Sequence, residues 1–382
     1  MIYVADISSI YVQHEQFNKS FIELLRQNNP GTPIAFFAEK NHGKVILSRS
    51  APGIESNAIY VYDKRGGLRE FIRAYYQFKA LLGVIRSAKG RTVTQIYVLL
   101  IHPFAHFLLK KFAPTDQKIS VVMHGELESL KFNKHFLNKI WGWFLLKALT
   151  TQRPNLSYII LGKSIYDNLL KVLPSFTDQN TIILDHPYPF SRRPEKFSPN
   201  ETITFSSLGV ASIFKNSQYL FMAALKASQL GLTQKCKFIV GGRVYKNMVP
   251  YLNDFVNYKK DFGSYSRKEL ETVVSNSDYC VFYYDNRDYS MCSSGAFWDA
   301  INMEIPLLYV RNDYFDHYVT ITGEIGRAFD TAEELNEHII SLIERGDSYF
   351  DDQYRRFTDN IRKLKYHYMS PANLTQQLNQ TV

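Results

Sequence analysis

The chain has 382 residues, of which 45% are hydrophobic and 21% charged, so it is long enough for two globular domains and too apolar to be disordered. Its three cysteines are too few for a disulfide framework or a zinc site, and they favour a reducing compartment. No run of 18 uncharged apolar residues is present, and the first residues lack a charged start before an apolar run. Neither a membrane-spanning helix nor a signal peptide is therefore expected.

The net charge of +9 is concentrated in the first half of the chain. Residues 1–190 contain 23 Lys and Arg against 13 Asp and Glu, a net of +10, whereas residues 191–382 contain 22 against 23, a net of −1. Residues 69–147 alone contain 13 basic and 4 acidic side chains. This asymmetry predicts that one domain faces an anionic partner, with nucleic acid and membrane head groups as the candidates.

Strands and helices alternate from the N-terminus onward. Residues 1–7 form an apolar strand, residues 17–25 have apolar side chains at helical spacing, and residues 34–37 form a second strand, which is typical of a doubly wound α/β domain. The first loop contains no Gly-x-Gly-x-x-Gly, so a dinucleotide site is not expected there. His14 lies in or just after this loop and is a candidate substrate contact, although a surface histidine at a helix start is the commoner arrangement.

Two later strands end in histidines. Residues 94–101 run into His102, and residues 119–123 run into His124, with Glu126 two positions further on. The carboxyl ends of parallel strands form the edge at which open α/β sheets bind their ligands. The sequence therefore makes both histidines candidates for a functional site.

Residues 131–149 combine lysines with large aromatic side chains, and they follow a basic amphipathic helix predicted over residues 69–87. The segment is too charged to cross a bilayer but suits a helix lying in the membrane interface. The alternative is a buried helix with lysines at its rim. Nucleic acid is the weaker candidate partner, because no recognition motif is present. The residues predicted to meet a membrane are Lys134, Lys139, Trp141 and Trp143.

The polar, proline-containing stretch 191–199 is the predicted domain boundary. Alternation of strands and helices restarts after it, and glycines and cations follow two successive strands. Such residues suit a phosphate site made of backbone N–H groups and cations. The residues are Gly209 and Lys215 after the strand 203–208, and Gly241, Gly242 and Arg243 after the strand 238–240.

Residues 278–310 read as strand, loop, helix and strand. Ser293, Ser294 and Gly295 open the helix, and serine is a favourable N-cap. The free N–H groups and positive dipole end of a helix start are suited to a phosphate. The alternative is an ordinary capped helix in a βαβ unit.

The order of these features resembles the nucleotide-sugar-binding half of GT-B glycosyltransferases, especially glycosyltransferase family 4. The resemblance covers most of residues 200–345, and the first half is similar mainly in its layout. It rests on Gly209 and Lys215, Gly241-Gly242, Phe262-Gly263 before Lys268, Asp278, Ser294-Gly295, Asp299 and Pro306.

The resemblance implies an α/β fold of two Rossmann-like doubly wound domains facing across a cleft. An acceptor-binding domain would span residues 1–188 and a nucleotide-sugar-binding domain residues 200–349, with a C-terminal helix at about 350–382 packing back on the first domain. By the same resemblance Lys215 meets the donor diphosphate, Asp299 binds the donor ribose, and His124 lies near the transferred sugar.

The sequence departs from the family at two positions. The first Glu of the Glu-x7-Glu motif falls at Met291, and Val210 replaces the usual Arg. Family 4 implies retention of configuration, which needs no base. If the transfer inverts instead, a base has to deprotonate the acceptor hydroxyl, and Glu126, His124 and His14 are the candidates.

The prediction is a glycosyltransferase that moves a sugar from a nucleotide-sugar donor to a lipid-linked or glycan acceptor in bacterial surface polysaccharide synthesis, such as O-antigen of lipopolysaccharide, capsule or exopolysaccharide. No Asp-x-Asp is present, so no metal or other cofactor is expected. The expected location is cytoplasmic, peripheral on the inner face of the plasma membrane, without a nucleic-acid partner. The alternatives are a catalytically silent GT-B-fold partner that binds glycan or membrane, and a soluble GT-B sugar epimerase.

Overall fold

A computed structural model describes residues 1–47, 53–113, 116–131, 136–193 and 201–381. The chain divides into two compact units. The first comprises Met1–Pro189, Met291–Ser293 and Pro371–Val382, and the second comprises Phe190–Ser290 and Ser294–Ser370.

The first unit is built on a seven-stranded sheet in the order β3-β2-β1-β4-β5-β6-β7, and every described strand pair is parallel. All residues of β1, β2 and β5 are buried, so both faces of the sheet are covered, as the continuous apolar runs of these strands require. The strands are β1 (Ile2–Asp6), β2 (Ile34–Ala38), β3 (Ile54–Ala58), β4 (Gln95–Leu100), β5 (Ile119–Met123), β6 (Leu156–Ile160) and β7 (Thr181–Ile183).

The helices before the domain boundary follow the strands in alternation, as predicted. They are α1 (Glu15–Asn28), α2 (Lys40–Leu47), α3 (Arg69–Ser87), α4 (Pro103–Phe112), α5 (Phe136–Thr150) and α6 (Lys163–Val172), with short 3₁₀ turns at Glu126–Lys131 and Pro174–Asp178.

The second unit is built on a six-stranded parallel sheet in the order β10-β9-β8-β11-β12-β13. Its core lies between this sheet and helices that include the long, strongly amphipathic helix Ala332–Arg345. The strands are β8 (Ile203–Leu208), β9 (Cys236–Gly241), β10 (Val256–Asn257), β11 (Tyr279–Phe282), β12 (Leu307–Val310) and β13 (Gly326–Phe329). The helices are α7 (Gln218–Gln229), α8 (Arg267–Val274), α9 (Asn286–Tyr289), α10 (Gly295–Met303), α11 (Asp313–Thr322), α12 (Ala332–Arg345) and α13 (Asp352–Lys363).

Each sheet reverses its strand order beside its first strand, at β1 between β2 and β4 and at β8 between β9 and β11. Parallel strands followed by crossovers in this order are the Rossmann-like topology, in which ligands bind at the carboxyl ends of the strands next to the reversal. The predicted fold class, α/β with two doubly wound domains, is confirmed. The reversal at β8 lies beside Gly209, which the sequence singled out, whereas Asp6 at the end of β1 was not singled out.

Two helix starts show how local sequence builds this fold. The Ser266 side chain accepts a hydrogen bond from the Glu269 backbone N–H while the Glu269 carboxylate accepts from Ser266 N, so α8 begins with a capping box. Ser294 is the N-cap of α10, and its Oγ accepts from Phe297 N at 3.2 Å. Serine side chains therefore set both helix starts, and the start at Ser294 is the one that the sequence predicted.

The C-terminal segment is two helices rather than one. α13 belongs to the second unit, where the Tyr354 hydroxyl donates to the Asp278 carbonyl. A π-helical turn at Leu364–Tyr368 ends it, and α14 (Pro371–Leu378) belongs to the first unit, where Gln377 exchanges hydrogen bonds of 2.8 and 2.9 Å with Asp185. Of the segment predicted at about 350–382, only the part from residue 371 onward packs in the first unit.

Throughout the described part of the chain, no helix has both the length and the apolar character needed to span a bilayer.

Candidate active site

The strand reversal of the second unit brings together Gly209, Lys215 and the start of α10. Gly209 follows β8 with a φ of +80°, a conformation that favours glycine. A Cβ on Gly209 would lie 3.2 Å from the Ala296 Cβ and 3.9 Å from the Lys215 Nζ. A lysine ammonium and the N-terminal turn of a helix thus border the same backbone position, and both favour an anion there.

Aromatic rings hold Lys215 at this place. Its Nζ lies 5.2 Å from the centre of the Tyr284 ring and 5.3 Å from that of Tyr289, within cation–π range. The Tyr284 hydroxyl is 2.6 Å from the Ser294 Oγ, so the ring beneath the lysine is tied to the N-cap of α10. Ser294 is fully buried and Ser293 nearly so. A Cβ on Gly295 would meet open space. The cation and the helix start are therefore positioned by one connected set of side chains.

Gly241 and Gly242 serve close packing in this structure. A Cβ on Gly242 would lie 1.7 Å from the Gly209 carbonyl oxygen, and one on Gly241 would lie within 3.0 Å of the Leu208, Val274 and Leu270 side chains. These glycines let the segments after β8 and β9 approach each other. The Arg243 side chain is exposed, with its guanidinium 5.7 Å from the Tyr245 ring centre.

Asp299, on α10, is bound by an arginine that sequence reasoning missed. The Arg267 Nη1 donates a hydrogen bond to the Asp299 carboxylate, and the Arg267 Nε donates to Glu271 at 2.8 Å. Arg267 is the first residue of α8, directly after the Ser266 cap, so the capping box was the available signal for its position. Met291, at the position of the first motif Glu, is completely buried.

In the first unit, a carboxylate lies at the carboxyl end of β1. The β1–β4 register shifts between Ala5 and Asp6, at the strand reversal. The Asp6 Oδ1 accepts hydrogen bonds from the backbone N–H groups of Ser8 (3.0 Å) and Ser9 (2.8 Å). Its Oδ2 accepts from the Asn18 amide at 2.6 Å. Asp6 therefore anchors the loop that leads to α1.

Asp6 pairs with His42 of α2 in the core. The His42 Nε2 lies 3.2 Å from the Asp6 Oδ2, and its Nδ1 lies 2.6 Å from the Tyr11 carbonyl oxygen, with both side chains at most 1% exposed. Burial alone would raise the pKa of Asp6, but the hydrogen bond and charge of His42, with Ser9, outweigh it and lower that pKa. Burial likewise opposes protonation of His42, yet Asp6 and the Tyr11 carbonyl raise its pKa. Each partner of this buried pair therefore favours the charged form of the other.

His14, His124 and His186 meet beside this pair. His14 occupies the N-cap position of α1 in a left-handed conformation, with φ of 52°, which is uncommon for a residue other than glycine. Its ring centre is 5.1 Å from that of His124, which packs 4.6 Å from Phe17 and 6.4 Å from His186. Burial, together with His14 and His186, lowers the pKa of His124 well below its usual value. His124 is consequently a neutral and weakly basic imidazole.

Glu126 is the better candidate base in this group. Its Oε2 accepts from the His124 backbone N–H at 3.1 Å, while its buried Oε1 has no hydrogen-bond partner among the described residues. Burial raises the pKa of Glu126 to about 7. A carboxylate with a pKa near the working pH has the basicity that suits general-base catalysis.

The surroundings of His102 indicate a structural role for this residue. Its Nδ1 accepts from Phe104 N at 3.2 Å as the N-cap of α4, and its ring lies 4.6 Å from Trp141. Burial lowers the pKa of His102 to about 3, so it is neutral at physiological pH. The candidate site in the first unit therefore comprises His14, His124 and Glu126 without His102.

The predicted membrane residues do not share one environment. Trp141 is only 8% exposed and packs against Phe71 at 4.7 Å, so the structure places it in the core instead of on the surface. Trp143 is 48% exposed and Lys139 is also exposed on α5. Lys134 lies outside the described residues. α5 thus has one face packed against α4 and another that carries an aromatic and a basic side chain.

Sequence reasoning missed Asp6, Asn18, His42 and His186. Asp6 is the last residue of β1 and His186 lies three residues after the end of β7, so nearness to a strand end was the available signal. No local pattern connects His42 to Asp6. Among the described residues, no three His, Cys, Asp or Glu side chains are grouped so that they could hold a metal ion.

No protein-family model matches the chain, and a search of curated protein sequences found no match. Solved structures do match over almost the whole length. A sucrose-phosphate synthase from Thermosynechococcus elongatus is 11% identical with a TM-score of 0.64, covering 99% of this chain and 97% of that one. A glycotransferase of kitacinnamycin is also 11% identical, with a TM-score of 0.50 and 98% of both chains covered. The chain therefore has the GT-B fold, as the resemblance implied, and the finer assignment to family 4 stays a prediction.

Replacing Asp6 with Asn tests the buried pair. The change leaves the His42 imidazolium in the core without its counter-charge, so we expect the free energy of unfolding of the first unit to fall by about 3–5 kcal/mol. Urea unfolding measures this loss. Asp63→Asn, at an exposed position, is the matched control and should stay within about 0.5 kcal/mol of the parent. A loss below about 1 kcal/mol for Asp6→Asn would contradict a buried ion pair.

The raised pKa of Glu126 predicts how stability depends on pH. The folded state holds the Glu126 proton up to about pH 7, whereas the unfolded chain releases it near 4.5. Stability therefore decreases as pH rises through this window, by up to about 3 kcal/mol. Glu126→Gln removes the titrating group, so its stability should fall less between pH 5 and 8 when both proteins are unfolded in urea. Parallel pH profiles for the parent and the variant would show that Glu126 titrates normally, and Glu337→Gln on the surface of α12 controls for loss of a carboxylate.

Proposed function

We propose that the protein is a glycosyltransferase that uses a nucleotide-sugar donor. The observation that carries this proposal is the grouping of the Lys215 ammonium, Gly209 and the first turn of α10 at the strand reversal of the second unit. A nucleoside diphosphate gains negative charge as the glycosidic bond breaks, and fixed positive groups at that point stabilise it. In this proposal Lys215 and the helix start supply the positive charge, and transfer is independent of metal.

The other predicted donor contacts remain part of the proposal. Ser293, Ser294 and Gly295 border the diphosphate, Asp299 binds the ribose, and Gly241, Gly242 and Arg243 lie along the nucleotide. Asp299 already forms an ion pair with Arg267. To bind a ribose hydroxyl, the Asp299 carboxylate therefore has either to release Arg267 or to bind both groups at once. Arg267 thereby becomes a further candidate for the donor side.

The acceptor side of the proposal rests on the first unit. Retention of configuration, which the resemblance to family 4 implies, needs no base. If the product is inverted, Glu126 is the residue that removes the acceptor proton, because its pKa of about 7 lies near physiological pH. The anomeric configuration of the product, read by NMR, decides between the two courses.

We further propose that the acceptor is a lipid-linked glycan in bacterial surface polysaccharide synthesis, at the cytoplasmic face of the plasma membrane. The net charge of +10 over residues 1–190 favours an anionic surface. The exposed Trp143 and Lys139 on α5 supply the kind of side chains that interfacial helices use.

A catalytically silent partner of glycan assembly is the second candidate function. Met291 in place of the first motif Glu, and Asp299 already bound to Arg267, are the two observations that favour it. Such a protein retains the GT-B fold without turnover, because fold by itself does not fix activity.

Nucleotide binding is the first test. We expect one of UDP, GDP, CMP and TDP to raise the melting temperature without magnesium, because a ligand at 100 times its dissociation constant stabilises the folded state by about 2.7 kcal/mol. Lys215→Ala should abolish the shift, and Lys226→Ala on the exposed side of α7 should keep it. If no nucleotide shifts the parent protein, the silent partner becomes the better account. A shift that Lys215→Ala retains would remove Lys215 from the site.

Vesicle flotation tests the membrane part of the proposal. The parent protein should float with vesicles containing phosphatidylglycerol and remain unbound with phosphatidylcholine alone. Trp143→Ala combined with Lys139→Ala should at least halve the bound fraction, because both side chains lie on the exposed face of α5. Tyr251→Ala, which removes an exposed aromatic ring from the second unit, is the control. Equal flotation of the double variant and the parent would refute the role of α5.

A further inference from the structure

An apolar cavity lies in the first unit between α3 and the edge of the sheet formed by β2 and β3. Its volume is about 560 Å³, which is within the range of small-molecule pockets. Its walls come from Phe37 at the end of β2, the segment Asn57–Tyr60, and one side of α3 from Tyr76 to Ser87. None of the candidate active-site residues lines it.

A glycine keeps one wall of this cavity open. Gly83 lies in the interior of α3, where glycine is among the least favourable residues for a helix. A Cβ at this position would meet nothing within 4 Å, so close packing does not require glycine here. The missing side chain instead adds to the space of the cavity, which Gly83 lines together with Ala80 and Val84.

Two tyrosine rings line the cavity, Tyr60 from the segment after β3 and Tyr76 from α3. Tyr60 is 64% exposed, and its ring centre is 5.2 Å from that of Tyr76 in an edge-on contact. Tyr76 also stacks on Tyr62 at 5.6 Å, with the ring planes 9° apart. Such a wall offers a broad apolar face that is already ordered before anything binds.

Of the described residues that line the cavity, Lys79 alone carries a charge. Its side chain is exposed, and it makes no hydrogen bond or ion pair within the described part of the chain. The polar lining groups of Asn57 and Ser87 already bond to Glu55 (3.2 Å) and to the Val84 carbonyl (2.7 Å). An apolar interior with one uncompensated cation at its rim suits an apolar chain with an anionic head better than it suits a sugar, which needs several directed polar groups.

We propose that this cavity binds the hydrocarbon chain of an anionic amphiphile, with the phosphate of the head group at Lys79. The chain would lie against Gly83, Ala80 and the Tyr76 ring. Lipid binding here stands independently of the proposed activity. The further step, that the bound chain is the lipid of a lipid-linked acceptor, rests on the proposed function.

Binding of farnesyl phosphate to the full chain, below its micelle concentration, tests the site by calorimetry. We expect Gly83→Leu to weaken binding at least tenfold, because the new side chain occupies the cavity, while its melting temperature equals or exceeds that of the parent. Arg86→Leu, on the same helix but outside the lining, is the matched control and should bind like the parent. Lys79→Gln should weaken farnesyl phosphate at least threefold but leave farnesol unchanged, with Lys89→Gln as its control.

Equal binding of farnesyl phosphate by the parent and Gly83→Leu would overturn the proposal, as would no binding by the parent. If Gly83→Leu does not fold, Ala80→Leu provides the same blockade from the neighbouring turn of α3. A lysophosphatidic acid measured beside farnesyl phosphate identifies whether an acyl or an isoprenoid chain is preferred. The nucleotide-induced shift in melting temperature is measured on the same variants. If that shift persists while lipid binding is absent, the cavity proposal fails and the proposed transferase does not.

Discussion

The structure of each unit depends on the requirement that a parallel sheet be covered on both faces. Every residue of β1 and of β11 is buried, and the crossover helices that bury them leave the ends of the strands as the accessible edge. The reversal of strand order then opens a place for a ligand beside β1 and β8. Asp6 ends β1 and Gly209 follows β8, so these two residues lie at the two strand reversals.

The two strand reversals each contain a charged side chain, Asp6 or Lys215, in a different environment. In the first unit the Asp6 carboxylate is fully enclosed, and His42, Asn18 and two backbone N–H groups compensate it. That arrangement orders the loop that leads to α1, and the charge of Asp6 is neutralised by groups inside the unit. In the second unit the Lys215 ammonium lies over two tyrosine rings and beside the start of α10, where an anion is favoured. The second arrangement therefore suits recognition of an anion, and the first suits support of the residues around it.

Several features of the candidate site were predictable because their signals are local. Ser294 caps α10 and Ser266 pairs with Glu269, since both motifs act over three residues. Trp141 was predicted on the surface because its neighbours in sequence are lysines, yet it packs against Phe71 from a helix more than fifty residues earlier. The rotation of α5 about its axis decides which tryptophan is buried, and that rotation depends on the helices it meets.

The sequence by itself determined the alternation of strands and helices, the histidines and glycines that follow several strands, and the concentration of basic charge in the first half. These properties follow from short-range periodicity, turn chemistry and composition, which need no knowledge of distant segments. Only the tertiary structure decided that Asp6 meets His42, that Arg267 binds Asp299 and that Gly83 opens a cavity. Each of these results from packing of segments far apart in the chain, where strand order and helix rotation select the neighbours.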